Sequence, residues 1–301
     1  MRIERVNNLS EQDFLAEYLL PGRPVIVEDA MAGWDVASFQ QEALLRKFGN
    51  CQVQVYNDLF DLQTIDRLEG YLKKNFNRTD GQSAHHYVRW YSRFKDVDFI
   101  WSDEVFKALE DRWAHPYFLP DTSFVVPYSK GDDKVRINEK RYPYKGLFIS
   151  GKGARTRLHR DPLHSDAILC QFYGEKKVTL IPPSQEGLVM ENGEVVDIQN
   201  PDLARFPRFR GAEIPYVDVL APGEVILFPA GWFHDVTCLS DSISVTWNFI
   251  HVSGAERFIQ HLQDYPQDQQ LEVVRFFLRD ELDAWATAEE IIEFVREKII
   301  I

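Results

Sequence analysis

Between about Ser123 and Ile250 the chain breaks into short runs of β-branched and aromatic residues, each closed by Pro, Gly, Asp or Asn. The runs cover 123–128, 146–150, 167–173, 177–182, 224–229 and 242–250. Each is long enough for a strand and too short for a stable helix. Closely spaced strands joined by turn residues restrict such a chain to a sandwich or a barrel. The last run alternates cleanly. Ile243, Val245, Trp247 and Phe249 share one face, and Ser242, Ser244, Thr246 and Asn248 share the other. Residues two apart on a strand point to the same side, so the polar row faces either solvent or a polar cavity.

The flanks read differently. Residues 10–20 are expected to be helical, with Ser10 and Asp13 spaced like a capping box and Phe14, Leu15, Tyr18 and Leu19 on one face. Pro21-Gly22 ends that helix, and Pro24-Val25-Ile26-Val27 reads as a strand. Helices are expected over 37–47 and 61–75, and strands over 53–56 and 86–91. Near the C-terminus, Leu271, Val274, Leu278, Leu282 and Trp285 follow helical spacing, and Thr287 with Glu290 opens another helix. The expected organisation is one domain over 1–254, with its β core at about 120–250, and a helical element over 255–301. That element carries much apolar surface, to be covered by its own β core or by a second copy in a homodimer.

A net charge of −13 over 301 residues disfavours a broad nucleic-acid surface. Three cysteines without CxxC spacing fit a reducing compartment. No secretory leader and no long apolar run is visible, so a cytoplasmic chain without a membrane partner is expected.

The chemistry concentrates in Thr156-Arg157-Leu158-His159-Arg160-Asp161. His159 and Asp161 are two apart and can reach one ion together. A third ligand must come from elsewhere, and His234 in Pro229-Ala230-Gly231-Trp232-Phe233-His234 is the candidate. Two imidazoles and a carboxylate hold one face of an octahedral iron(II) and leave three positions open. A 2-oxo acid fills two of these and dioxygen the third. His85, His86, His115, His251 and His261 read as ordinary residues, and His164 as a non-ligand near the site mouth. 2-Oxoglutarate would also need a buried cation for its far carboxylate. Lys176 shares parity with Val178 and Leu180 and should point inward, whereas Lys177 should face water.

These residues resemble the Jumonji-C and related cupin-like oxygenases, most closely the branch holding the asparaginyl hydroxylase of hypoxia-inducible factor and the lysyl hydroxylases. The resemblance is strongest from Gly146 to Ile250, extends weakly to the N-terminal segment through Trp34, and does not cover 255–301. It implies a mainly β fold with flanking helices, built on a double-stranded β-helix (cupin or jelly-roll) barrel. It implies His159, Asp161 and His234 as metal ligands and as the catalytic centre. It implies Lys176, Thr156, Tyr87, Thr246 and Asn248 as cofactor-binding residues. Ordinary alternation turns Thr156 away from His159, so the strand must bend if Thr156 takes part. The implied activity is iron(II)- and 2-oxoglutarate-dependent hydroxylation, with dioxygen, of an amino-acid side chain in a protein, peptide or free amino acid. One alternative is N-methyl-lysine demethylation by the same chemistry, disfavoured by Asp161, because those branches mostly resemble HxE. The other is a non-catalytic metal- or ligand-binding cupin. Ala167-Ile168-Leu169-Cys170 departs from members that carry an asparagine before the lysine. Arg155, Arg157 and Arg160 make the approach basic, either to receive an acidic substrate or to pair with local acids. Substrate choice is expected to lie in loops 129–143 and 184–215.

Overall fold

The longest strand, Ser242–His251, runs through the middle of a ten-stranded sheet in the computed structural model, which describes residues 1–79, 82, 84–129, 133–135 and 144–299. The order across this sheet is Glu4–Val6, Val25–Val27, Val225–Phe228, Asp166–Tyr173, Ser242–His251, Tyr144–Ser150, Tyr87–Tyr91, Gln52–Tyr56 and Leu62–Arg67, with Phe124–Val126 paired to the end of the central strand. Only the pair Glu4–Val6 and Val25–Val27 is parallel among the described pairings. A second, antiparallel sheet holds Tyr216–Leu220, Lys176–Ile181, Phe233–Cys238 and Arg155–His159, in that order. The sheets are hydrogen-bonded separately and meet through Ala167, Leu169, Ile226 and Phe228 on one side and Val178, Leu180, Leu220 and Val236 on the other. Two sheets closed over a shared apolar layer fit the sandwich or barrel that the strand pattern predicts and the jelly-roll arrangement that the resemblance implies.

The alternation in the central strand separates two interiors. Ile243, Val245, Trp247 and Phe249 pack with Leu147, Ile149 and Trp90 against N-terminal residues such as Phe14, Phe39, Tyr71 and Trp113. Each such side chain contributes roughly 1.5–3 kcal/mol on burial. The polar row turns the other way, toward the small sheet. Ser242 and Ser244 are fully buried there, so this row is an inner wall rather than a solvent face.

In the N-terminal layer, the Ser10 side chain accepts from the Asp13 N–H, and a short helical turn at Glu11–Asp13 passes into a π-helical segment, Phe14–Leu19. The helix expected over 37–47 divides into a 3-10 turn, Val36–Phe39, and a helix, Gln41–Phe48. The helix expected over 61–75 is corrected: Leu62–Arg67 is an edge strand paired with Gln52–Tyr56, and only Leu68–Asn75 is helical. The β-branched Thr64 and Ile65 suit an open sheet edge, and only Leu68, Tyr71 and Leu72 supply a buried helical face. Most of loop 129–143 lies outside the described residues.

Three helices follow the central strand: Ala255–Asp264, Leu271–Leu278 and Ala288–Lys298. The first has no counterpart in the sequence reading. The second stops before Leu282 and leaves Trp285 84% exposed. The third opens on a complete capping box between Thr287 and Glu290. Phe258, Leu262, Val274, Leu278, Ile291 and Val295 close into one cluster with Val125, Val126, Leu163 and Ile250. The chain's own β core thus covers Leu271, Val274 and Leu278 of the apolar row from which a homodimer was expected, and Trp285 stays outside it. No described helix is long and apolar enough to cross a membrane.

Candidate active site

His159 ends the strand Arg155–His159 and lies directly opposite His234 on the neighbouring strand. Asp161 follows in extended conformation, just before the turn Pro162–His164. The Nε2 atom of His159 is 4.0 Å from Asp161 Oδ1, and that of His234 is 3.9 Å from Asp161 Oδ2. All three prospective ligand atoms lie within 4.8 Å of one another. Adjacent ligands held about 2.1 Å from an octahedral ion stand roughly 3 Å apart, so closing on an ion takes shifts of about 1 Å.

The backbone fixes how the imidazoles present themselves. His159 Nδ1 donates to the Arg157 carbonyl at 2.8 Å, and His234 Nδ1 to the Trp232 carbonyl at 3.3 Å. A carbonyl can only accept, so Nδ1 carries the proton and each Nε2 lone pair faces Asp161. Phe228 stacks on His234 at 4.4 Å, and Phe60 meets His159 edge-on at 4.7 Å. Burial, with His234 alongside, holds His159 well below the usual imidazole range, which keeps it in the neutral, metal-binding form.

The triad opens into a cavity between the sheets, lined by Thr156, Lys176, Thr246 and Asn248 among others. Lys176 is 3% exposed and donates to Ser244 Oγ at 2.5 Å. No carboxylate among the described residues pairs with it, and burial lowers its pKa. Lys177, on the opposite face, is half-buried. Thr156 reaches the cavity through a β-bulge. His234 pairs with His159, but Val236 pairs with Thr156, so Arg157 and Leu158 together oppose one partner residue. The displaced Arg157 N–H donates to the Asp58 carbonyl at 3.1 Å. This extra residue restores Thr156 to the face of His159. Tyr87 does not line the cavity. It is buried on the same strand face as Arg89, with its ring stacked on Phe148 and its hydroxyl turned toward Thr156.

The three arginines around the metal motif are committed to acids. Arg155 pairs with Asp235 and with Asp197 at 2.8 Å, Arg157 lies 3.7 Å from Asp197, and Arg160 is 3.0 Å from Glu186. The reading of local ion pairs therefore holds over that of a basic landing site. Sequence reasoning missed a different arginine. Arg89 lines the cavity with Tyr91, Phe60 and Phe148. The available signal was parity, because Tyr87, Arg89 and Tyr91 share one face of their strand. His164 stays outside the triad, its ring 5.3 Å from that of His261.

The family described as "Cupin-like domain" matches residues 11–255. The chain is similar to the 2-oxoglutarate and iron-dependent oxygenase JMJD4 of Gallus gallus, at 24% identity over 94% of this chain and 67% of that protein. It is similar to the arginine-specific demethylase JMJ20 of Arabidopsis thaliana, at 25% identity over 83% of this chain and 57% of that protein. The lysine-specific demethylase JMJ30 of the same plant is 26% identical over 82% of this chain and 54% of its own length. The chain thus spans two thirds of the avian relative and little more than half of the plant ones. The family match takes in the triad and every described strand of both sheets apart from Glu4–Val6. On these grounds the chain belongs to the cupin-like domain family.

Proposed function

We propose that the protein is an iron(II)- and 2-oxoglutarate-dependent oxygenase that hydroxylates a C–H bond of an amino-acid side chain, in a protein, a peptide or a free amino acid. The observation that carries this reading is one cavity joining a His-Asp-His triad to a buried amine that pairs with no carboxylate among the described residues. The donor set fits iron(II), and the buried amine fits the far carboxylate of 2-oxoglutarate. When bound, iron(II) and 2-oxoglutarate supply, with dioxygen, the oxidising power that amino-acid side chains lack. The chain's own part is positional. His159, Asp161 and His234 would hold the metal at the mouth of the cavity. Lys176 would receive the far carboxylate, which would offset the cost of burying both charges. Thr156 and Asn248 offer polar groups along the same wall, and Phe60 and Phe228 keep the imidazole planes in place. N-methyl demethylation would use the same centre, and Asp161 in the metal motif is the residue on which the hydroxylase reading rests. We further propose residues 1–254 as the catalytic unit, with 255–301 bracing it.

The test is anaerobic addition of iron(II) and 2-oxoglutarate to metal-free protein, followed by visible absorption. A weak charge-transfer band is expected, and His234→Ala should abolish it. Metal binding without the band would replace the oxygenase by a metal-binding cupin.

A further inference from the structure

We propose that Arg89 selects the substrate of this site by binding a carboxylate that the substrate carries close to its reacting carbon. The inference rests on the oxygenase reading above and names a substrate class that it leaves open. Arg89 sits on the strand Tyr87–Tyr91, opposite Phe148, and its side chain lines the cavity. Its guanidinium lies 4.5 Å from the centre of the Phe60 ring and 5.0 Å from that of Tyr91. Nε and Nη2 donate to the Tyr91 hydroxyl at 3.3 and 3.1 Å. No carboxylate among the described residues pairs with it, whereas Arg155, Arg157 and Arg160 are all paired. An enclosed cation without a counter-ion is costly, and aromatic faces compensate only part of that cost.

The geometry separates this charge from the one assigned to 2-oxoglutarate. Lys176 and Arg89 are 5.9 and 6.0 Å from the same Phe148 ring, and across the sheet Phe148 pairs with Arg89 on one side and Ser244 on the other. Lys176 is bonded to Ser244. Arg89 instead shares Phe60 with the metal ligand His159, at 4.5 and 4.7 Å. With one end of 2-oxoglutarate on the metal and the other on Lys176, Arg89 remains for the second substrate. Tyr91 occupies the Nε–Nη2 edge of the guanidinium. Among the described residues nothing bonds to the Nη1–Nη2 edge, which presents two parallel N–H groups that match a carboxylate. Either an acidic side chain or a free α-carboxylate satisfies this chemistry.

The experiment uses the full chain loaded with zinc(II), which does not turn over, and with 2-oxoglutarate. Calorimetric titrations compare N-acetyl-aspartate amide (side-chain carboxylate), N-acetyl-alanine (α-carboxylate) and N-acetyl-asparagine amide (neutral). At least one carboxylate probe should bind about tenfold or more tighter than the neutral probe, and which one does so identifies the source of the carboxylate. Arg89→Gln should erase the preference, and Arg89→Lys should keep part of it. Arg89→Gln should change 2-oxoglutarate affinity less than about threefold, whereas Lys176→Met should weaken it about tenfold or more. Carboxylate and neutral probes that cannot be told apart, including no binding of either, overturn the inference. So does a preference that survives Arg89→Gln, or a loss of 2-oxoglutarate in that variant as large as in Lys176→Met. If Arg89→Gln fails to fold, the wild-type comparison can still overturn the inference, and Arg89→Lys assigns the preference to Arg89 by reducing it. Failure of 2-oxoglutarate to bind the metal-loaded wild type is a different result, and it removes the oxygenase reading together with this one.

Discussion

Lys176 has a neutral hydroxyl as its hydrogen-bonding partner, and this makes it the most informative single residue to change. A charge-assisted bond to a buried carboxylate contributes about 1.5–3 kcal/mol, so Lys176→Ala should raise the 2-oxoglutarate requirement roughly tenfold to a hundredfold. His159→Ala and Asp161→Ala should instead abolish turnover and leave the sheets folded, as circular dichroism would show. A flat 2-oxoglutarate response in Lys176→Ala would move the far carboxylate to another residue. At this scale the sequence was legible wherever parity sufficed. His159 with Asp161, and Lys176 with Val178 and Leu180, follow from a period of two. Arg89 obeys the same rule, yet the eye goes to the three arginines beside the metal motif. Nearness in sequence to a ligand says nothing about which cations local acids have already neutralised.

Strands and turns explain what parity alone does not. Thr156 needs the bulge opposite Val236 to face the cavity, and no residue type around Arg157 announces it. The same displaced residue supplies the carbonyl that holds the His159 proton, so one irregularity serves both the cavity wall and the imidazole tautomer. Tyr216–Leu220 escaped notice because its alternation is inverted. Val217 and Val219 are exposed, while Asp218 is buried against Arg5 at 2.9 Å. Asp166 ties two elements together. It begins the strand Asp166–Tyr173 and accepts from the Ala230 N–H at 2.8 Å, in the loop that leads to His234. Burial raises its pKa from 3.8 to about 7, against the pull of Arg257 4.0 Å away. A carboxyl whose folded pKa is raised contributes stability that is complete below its unfolded pKa and is lost as pH rises through the folded one. The stability advantage of Asp166→Asn over wild type should therefore grow between about pH 4 and pH 7. Thermal unfolding across that range checks it, and a difference independent of pH would show that Asp166 does not titrate there.

At the scale of the whole molecule, the C-terminal helices reach the metal site from the far end of the chain. They share a cluster with Leu163, which lies two residues past Asp161 in a turn held at positive φ of 61°. Residues 1–254 expressed alone should expose Val125, Val126 and Ile250 and should aggregate or bind metal more weakly. A monodisperse 1–254 with unchanged metal affinity would show that the helices are dispensable to the site. The central strand sets a further condition on change. Ser242–His251 is at once the wall of the cavity and the floor of the N-terminal layer, and Tyr87–Tyr91 has the same double duty. A slip of one residue would put Val245 and Trp247 into the cavity and bury Thr246 and Asn248 among hydrocarbon. Natural variation along these strands is thus restricted to exchanging one side chain for another. Insertions and deletions have to accumulate in the connecting loops, and new specificities with them.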